Sequence, residues 1–511
     1  MPDAHPPQHD PGQTNRKRRL GIPGLRGALL GSGDPAPPAT PKPNKLSQKQ
    51  LTGKLAGLSL PKQVFILALW PLMEQILNFL VGTVDIAIAG RLPGENAAAQ
   101  AIDAIAVASY FVWLMTILQA AAGVGAAAIV SRAVGASHRR LANAGAGQAV
   151  LLGIGSGLFA GIAVFVAAPW IAAGFGLEGS AQQMASDYIR ITAVGIPMCG
   201  VLFTGGAVLR AAGDTRSPFL AMLLVNVINV CVSVGLGGLR YGDDPTQTIG
   251  LGWGVNGIAW GTAIAWIVGG MAVLIILLSG TSELRLRPHR LRPHWHTMRR
   301  IIKVALPNLY YQLAFWLINF VLLLYISQLA IEYAYGAHTI AMRIHSISFL
   351  PGYAISIAAS TLTGQYLGLG DPTRAKRATY LALCGTLGIM FICSFLFFFF
   401  PTNLVALLSP NNEVHLTLAP PLLQISAFIT PLLAVNLILN GAMQGAGDTR
   451  NTAIINLTGL TIFRLGGAYV FAFPLAMGLW GIWLGIMMDI AVRGVVFWFY
   501  YHTYRWARVS V

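Results

Sequence analysis

From Val64 onward the chain runs as long apolar stretches separated by short polar breaks. Twelve stretches stand out, at approximately 64–90, 101–133, 144–174, 185–212, 217–239, 250–279, 300–329, 335–367, 378–401, 414–446, 452–473 and 477–504. An α-helix needs ~20 predominantly apolar residues to cross hydrocarbon, and every stretch reaches that length. The pattern predicts an all-α integral membrane protein of twelve transmembrane helices, several long enough to tilt or kink. Pro71, Pro197, Pro307, Pro351 and Pro431 fall inside them, where neighbouring helices can satisfy the carbonyls that a proline frees.

The breaks alternate in charge. After segments two, four, six, eight and ten come Arg139–Arg140, Arg216, the block from Arg285 to Lys303, Arg374 with Lys376 and Arg377, and Arg450. The other breaks carry Glu95, Glu178, Asp243–Asp244, Glu332 and Glu413, with only Arg91 and Arg240 as bases. Basic loops stay on the cytoplasmic side. The alternation thus predicts an even number of crossings and both termini in the cytoplasm, in a multi-pass protein of the cell membrane.

Composition agrees. Only 10 % of the 511 residues are charged, against roughly a quarter in soluble domains. The net charge of +16 would suggest nucleic acid, but its location argues otherwise. Residues 1–62 hold ten Lys or Arg against three Asp, and Arg285 to Lys303 hold seven bases and no acid; both flank apolar segments. The expected partners are the lipid bilayer and small molecules, with no nucleic acid, and the chain is expected to be a monomer. Residues 1–62, Pro-rich and without periodicity, read as a disordered cytoplasmic tail. Cys199, Cys231, Cys384 and Cys393 lie in apolar runs without metal spacing and read as free, buried thiols.

The two halves repeat. AGDTR at 212–216 recurs at 446–450, an offset of 448 − 214 = 234 that also carries Pro197 onto Pro431 and Val201 onto Val435. Gly135 and Ala142 match Gly368 and Ala375 at 233, and Pro71 matches Pro307 at 236. Six helices per copy make this a parallel repeat about a pseudo-two-fold axis along the membrane normal. The expected division is an N-terminal lobe at 63–283, a basic inter-lobe loop at 284–303 and a C-terminal lobe at 304–511, with a cleft suited to alternating access.

Chemistry is sparse enough to enumerate. Glu74, Asn78 and Asp85 share one face of the first helix at spacings of four and seven, so Glu74 and Asp85 lie roughly 16 Å apart along the axis. Counting from Val64 puts Glu74 near the bilayer midplane, where a carboxylate must be paired, hydrated or protonated; the bland alternative is a hydrogen bond to a neighbouring helix. Asp85 lies toward the external end, where wetting at the interface is the alternative. Asn226 and Asn229 on the fifth helix, and Gln312 and Asn319 on the seventh, suit either a cation site or interhelical hydrogen bonding. Trp113, Tyr310, Tyr311 and Trp316 could offer a surface for flat cations, or could face lipid. Asp489 and Arg493, spaced i,i+4, read as a local ion pair, and Arg343 and His345 as packing. Arg190 is a lone midway base.

At these residues the sequence resembles the multidrug and toxic compound extrusion (MATE) family of antiporters. The resemblance rests on VDIAIAGRL, AIVSRAVGA, LRAAGDTRSP, GAHTIAMRIHSISFLPGYAISIAASTLTGQYLGLGDPTRAKRA and NGAMQGAGDTR, in order over roughly residues 64–505. It implies two six-helix lobes and export of organic cations coupled to inward Na⁺ or H⁺, with no other cofactor. It also implies that Asp85 is the family's first-helix acid and Asn229 its fifth-helix amide. Ser233 stands where some branches carry an acid, and Gln312 and Phe315 where another carries a Glu. The acids of a full Na⁺ cage are therefore missing, and H⁺ is the expected ion, carried by a single buried carboxylate such as Glu74. Two other readings compete. A flippase for lipid-linked sugars should line its N-lobe cavity with several bases, and an intramembrane enzyme needs a constellation that no spacing here supplies.

Overall fold

The computed structural model describes residues 51, 55–93, 95–174, 177–240, 248–280, 284–287, 291–329, 331, 334–410 and 412–509. Most of the proposed tail lies outside these residues. Its predicted boundary moves, however: α1 begins at Leu60, and Leu51 and Leu55 just before it are buried.

Among the described residues, twelve helical spans are long and apolar enough to cross a membrane. They are α1 (Leu60–Ala89), α2 (Glu95–Gly135), α3 (Arg139–Gly174), α4 (Gly179–Ala211), α5 (Arg216–Gly237), α6 (Gly254–Ser279), α7 (Trp295–Ser327), α8 (Ala334–Gly368), α9 (Pro372–Phe399), α11 (Glu413–Gly445), a composite of α12 (Thr449–Thr458), a π-helical turn (Gly459–Gly466) and α13 (Gly467–Ala472), and α14 (Gly478–His502). A short α10 (Pro401–Leu408) joins α9 to α11, and a two-residue ribbon pairs β1 (Leu239–Arg240) with β2 (Thr248–Ile249). The inter-lobe loop is shorter than expected because α7 starts at Trp295, taking Arg299, Arg300 and Lys303 into its first turns. The loop is pinned to α3: Gln148 accepts from the His294 amide at 2.9 Å and donates to the Arg292 carbonyl at 2.9 Å. Of the four cysteines, Cys199 and Cys393 are buried, but Cys231 and Cys384 are exposed on outer helix faces.

Two large hydrophobic cores form among the described residues, one per half, but the first helix of each half crosses between them. Val64, Leu67 and Ala68 of α1 pack into the second core, while Ile88 and Ala89 pack into the first. In the repeat-related α7, Ile301 packs into the first core and Leu322 and Ile326 into the second. Pro71 and Pro307 lie between these anchor points. A division at 284–303 therefore understates the exchange.

The repeat is visible in the helix ends at the end of the bundle that carries the basic loops, hereafter the basic end. Four helices close there with the same six-to-one turn, whose penultimate residue must be left-handed. The Asp214 amide donates to the Leu209 carbonyl and the Asp448 amide to the Met443 carbonyl, both at 2.9 Å. The residues before them are Gly213 (φ +92°) and Gly447 (φ +85°), which is what the two AGDTR strings supply. The ends of α2 and α8 repeat the turn with Ser137 (φ 59°) and Gly370 (φ 82°).

Candidate functional site

Asp85, one turn before the end of α1, is enclosed by three neighbouring helices. Tyr188 of α4 donates its hydroxyl to Oδ2 at 2.8 Å, Thr262 of α6 donates to the same oxygen at 2.8 Å, and the Asn229 amide of α5 donates to Oδ1 at 3.2 Å. Asn229 also donates to Thr262 Oγ1 at 3.0 Å, closing the ring. Asp85 and Tyr188 are each 2 % exposed, Thr262 1 %, and Asn229 and Ser233 are fully buried. Asp85 is thus sealed rather than wetted. Among the described residues no Lys or Arg pairs with it, so its charge, when present, is met by dipoles alone. The carbonyl oxygen of Asn229 is buried beside it without a hydrogen-bond partner. Small residues let the helices close in: a Cβ on Gly261 would lie 2.0 Å from Ser233 Oγ.

Glu74 has a different environment from the one expected. Its Oε1 accepts from Arg210 of α4 at 2.6 Å, in a pair whose acid is buried and whose guanidinium is half-buried. The acid expected to stand open at the midplane is therefore neutralised, while its Oε2 is buried without a partner. Arg210 heads the LRAAGDTR string and extends back along its own helix, as helical side chains do, which is how a base near a helix end meets an acid far inside. The pair lies against the second half, because Thr361 of α8 donates to the Arg210 carbonyl at 3.3 Å.

The remaining candidates scatter. Asn78 is half-buried one turn from Glu74 and makes no protein hydrogen bond among the described residues. Asn226 and Asn319 donate back to carbonyls of their own helices, those of Met222 at 2.9 Å and Phe315 at 2.6 Å. Gln312 is half-buried. Trp316 exchanges two hydrogen bonds with Tyr110 of α2, indole to carbonyl and hydroxyl to carbonyl, each 3.2 Å. Together with Phe111, Trp113, Phe315 and Phe320 it builds an aromatic cluster across α2 and α7. Tyr310 is not part of it. It is 56 % exposed, on an outward stripe with Leu306, Leu313 and Leu317, a lipid-facing composition. Arg343 is exposed, whereas His345 is buried between Phe397 and Trp483. Arg190 lies over the Phe165 ring at 5.8 Å.

The Asp489–Arg493 pair expected from its spacing is present, at 2.5 Å, but Arg464 of the π-helical turn joins it at 2.9 Å. Sequence reasoning missed Arg464, Arg210, Tyr188 and Thr262. The two arginines had a legible signal, being bases inside apolar runs; Tyr188 and Thr262 had none.

The family model for MatE matches this chain twice, over residues 72–234 and 307–470, one match per half. The chain belongs to the MatE family. A probable multidrug resistance protein NorM of Thermotoga maritima is 25 % identical over 450 residues, spanning 88 % of this chain and 94 % of that protein. An FAD transporter of Shewanella oneidensis is 28 % identical over 298 residues, 57 % of this chain and 62 % of that one. A crystal structure of MATE in a bent conformation superposes with a TM-score of 0.78 at 20 % identity, covering 87 % of this chain and 95 % of the other. As a MatE protein this chain is a multi-pass membrane transporter and not an enzyme.

Proposed function

We propose that this protein is a proton-coupled antiporter that exports organic amphipathic molecules by alternating access, with Asp85 carrying the proton and the basic end facing the cytoplasm. One observation carries the reading: a sealed carboxylate held by Tyr188, Asn229 and Thr262 that pairs with no basic side chain among the described residues. A charge so placed costs several kcal/mol unless a proton or a small cation joins it. Protonation also fits the orphan carbonyl of Asn229: rotating that amide gives a protonated Asp85 the acceptor it needs. The multidrug name of the Thermotoga relative supports export of small molecules, and the flippase reading has no such support. A second reading, Na⁺, would use the same four oxygen-bearing side chains.

Uptake of a fluorescent amphipath into inverted membrane vesicles separates the two. With a pH gradient alone, uptake is expected in the native protein and is expected to fall to background in Asp85→Asn, which keeps shape and removes the charge. Uptake driven by a Na⁺ gradient at zero pH gradient, and resistant to a protonophore, would assign the site to Na⁺ instead.

A further inference from the structure

A second buried ionic cluster lies in the other half of the molecule, midway along its helices and outside the Asp85 cage. Asp489 of α14 is fully buried and takes Arg493 on both oxygens, Nε to Oδ1 at 2.6 Å and Nη2 to Oδ2 at 2.5 Å. Arg493 Nη1 continues to Asn456 Oδ1 at 3.0 Å. That bidentate pair already balances the carboxylate. Arg464 adds its Nε to Oδ2 at 2.9 Å and is 6 % exposed, so two guanidiniums face one carboxylate and the cluster carries one surplus positive charge.

Arg464 uses only its Nε in this way. Its two terminal nitrogens make no hydrogen bond among the described residues, and its guanidinium lies over the Phe315 ring at 5.5 Å. Phe315 in turn meets Trp113 of α2 edge-on at 6.2 Å and Tyr311 at 6.2 Å. The unspent half of a buried guanidinium thus stands behind an aromatic wall at the seam between the two halves. The backbone is shaped for it. A π-helical turn, a form often found at functional sites, carries Arg464, and a Cβ on its first residue, Gly459, would lie 2.4 Å from Arg493 Cγ and 2.7 Å from Asp489 Oδ1.

A surplus charge inside hydrocarbon is expensive and marks a ligand or ion pathway, and the planar fork of Arg matches carboxylate and phosphate. We infer that this cluster takes the acidic end of the exported molecule, so that the cargo class is an aromatic amphipath bearing a carboxylate or phosphate oxyanion. The inference rests on the export reading above. It also fits the environment of Glu74, since the pair with Arg210 offsets one negative charge that a purely cationic cargo could have used.

The test uses two dyes that differ by one methyl ester: rhodamine 110, with a free carboxylate, and rhodamine 123, its ester. Fluorescence anisotropy with the purified full-length protein in detergent, without any gradient, should give about tenfold tighter binding of the free acid, the size of one charge-assisted contact. Arg464→Gln should erase the preference while leaving the ester's affinity within about twofold, and Arg464→Lys, which keeps the charge and loses the fork, should retain part of it; melting curves show that both variants fold. Benzoate should displace rhodamine 110. A native protein without the preference, or an Arg464→Gln variant that keeps it, overturns the proposal. Displacement by phosphatidylglycerol but not by benzoate also overturns it, by assigning the cluster to a lipid headgroup. Binding is read without a gradient, so a failure of coupled antiport and a failure of this assignment are seen separately.

Discussion

At the residue scale, Glu74 and Asp85 show how two acids on one helix face acquire different chemistry from what lies opposite. Among the described residues Asp85 takes its hydrogen bonds from hydroxyls and an amide, and Glu74 from a guanidinium. Removing one partner of a fully buried pair strands the other at about 3–5 kcal/mol, with less expected where, as at Arg210, one side is half-buried, whereas removing both is far milder. Glu74→Gln and Arg210→Gln are each expected to lower the melting temperature of the purified protein markedly, and the double variant to recover most of the loss. Additive losses in that cycle would mean that the two side chains do not act as a pair. Asp85 was legible because a carboxylate in an apolar run is rare enough to stand out, whereas Asn229 was singled out as its companion only by the family resemblance. Tyr188 and Thr262 were not legible, since such residues occur throughout membrane helices, and only the fold, which brings these side chains of α4 and α6 to Asp85, selects these two. Whether Glu74 was open or paired depended on the reach of Arg210 from another helix, which spacing along α1 cannot report.

At the element scale, the apolar runs locate all twelve spans, with starts up to six residues late where polar residues lengthen a helix beyond the apolar run, as at α2, α4 and α9, because the apolar length is set by the thickness to be crossed. The internal geometry was less visible. The run at 452–473 reads as one helix, yet its middle is π-helical between Gly459 and Gly466, where α14 comes so close that a Cβ on Gly459 would lie 2.4 Å from Arg493 Cγ. Gly459→Ala puts a methyl group into that contact. It should destabilise the protein by about 1–3 kcal/mol, visible as a lower melting temperature. Gly385 of α9 supplies the contrast: a Cβ there meets nothing within 4 Å, and the position should tolerate alanine without such a loss. Equal melting temperatures for the two variants would show that the close contact at Gly459 does not require a glycine.

At the scale of the whole molecule, the two halves are locked at the basic end by reciprocal contacts that follow the repeat. Arg132 of α2 donates to the Ala446 carbonyl closing α11 at 2.7 Å, and its counterpart Gln365 of α8 donates to the Ala211 carbonyl closing α4 at 2.9 Å. Glycines allow the approach: a Cβ on Gly135 would lie 1.9 Å from the Gln365 oxygen, and one on Gly368 2.1 Å from the Arg132 oxygen. Gly368→Val should prop this end open. A cysteine placed at Thr361, 4 % exposed under the seam, should then react with a water-soluble maleimide supplied from the basic side, and coupled uptake should fall to background; equal labelling with and without the valine would show that the glycines do not close the seam. The unbalanced guanidinium of Arg464 has an electrical consequence for the same movement. A unit charge crossing the full membrane field exchanges about 2.3 kcal/mol per 100 mV, so a rocking half that carries the cluster through about a third of the field shifts its own equilibrium by about 0.8 kcal/mol per 100 mV. Empty transporter should therefore return a transient current to a voltage step, and the current should shrink in Arg464→Gln or when an acidic dye neutralises the cluster. Identical transients in all three conditions would place the movement elsewhere. Where they differ, membrane voltage itself biases which face of the empty carrier is open.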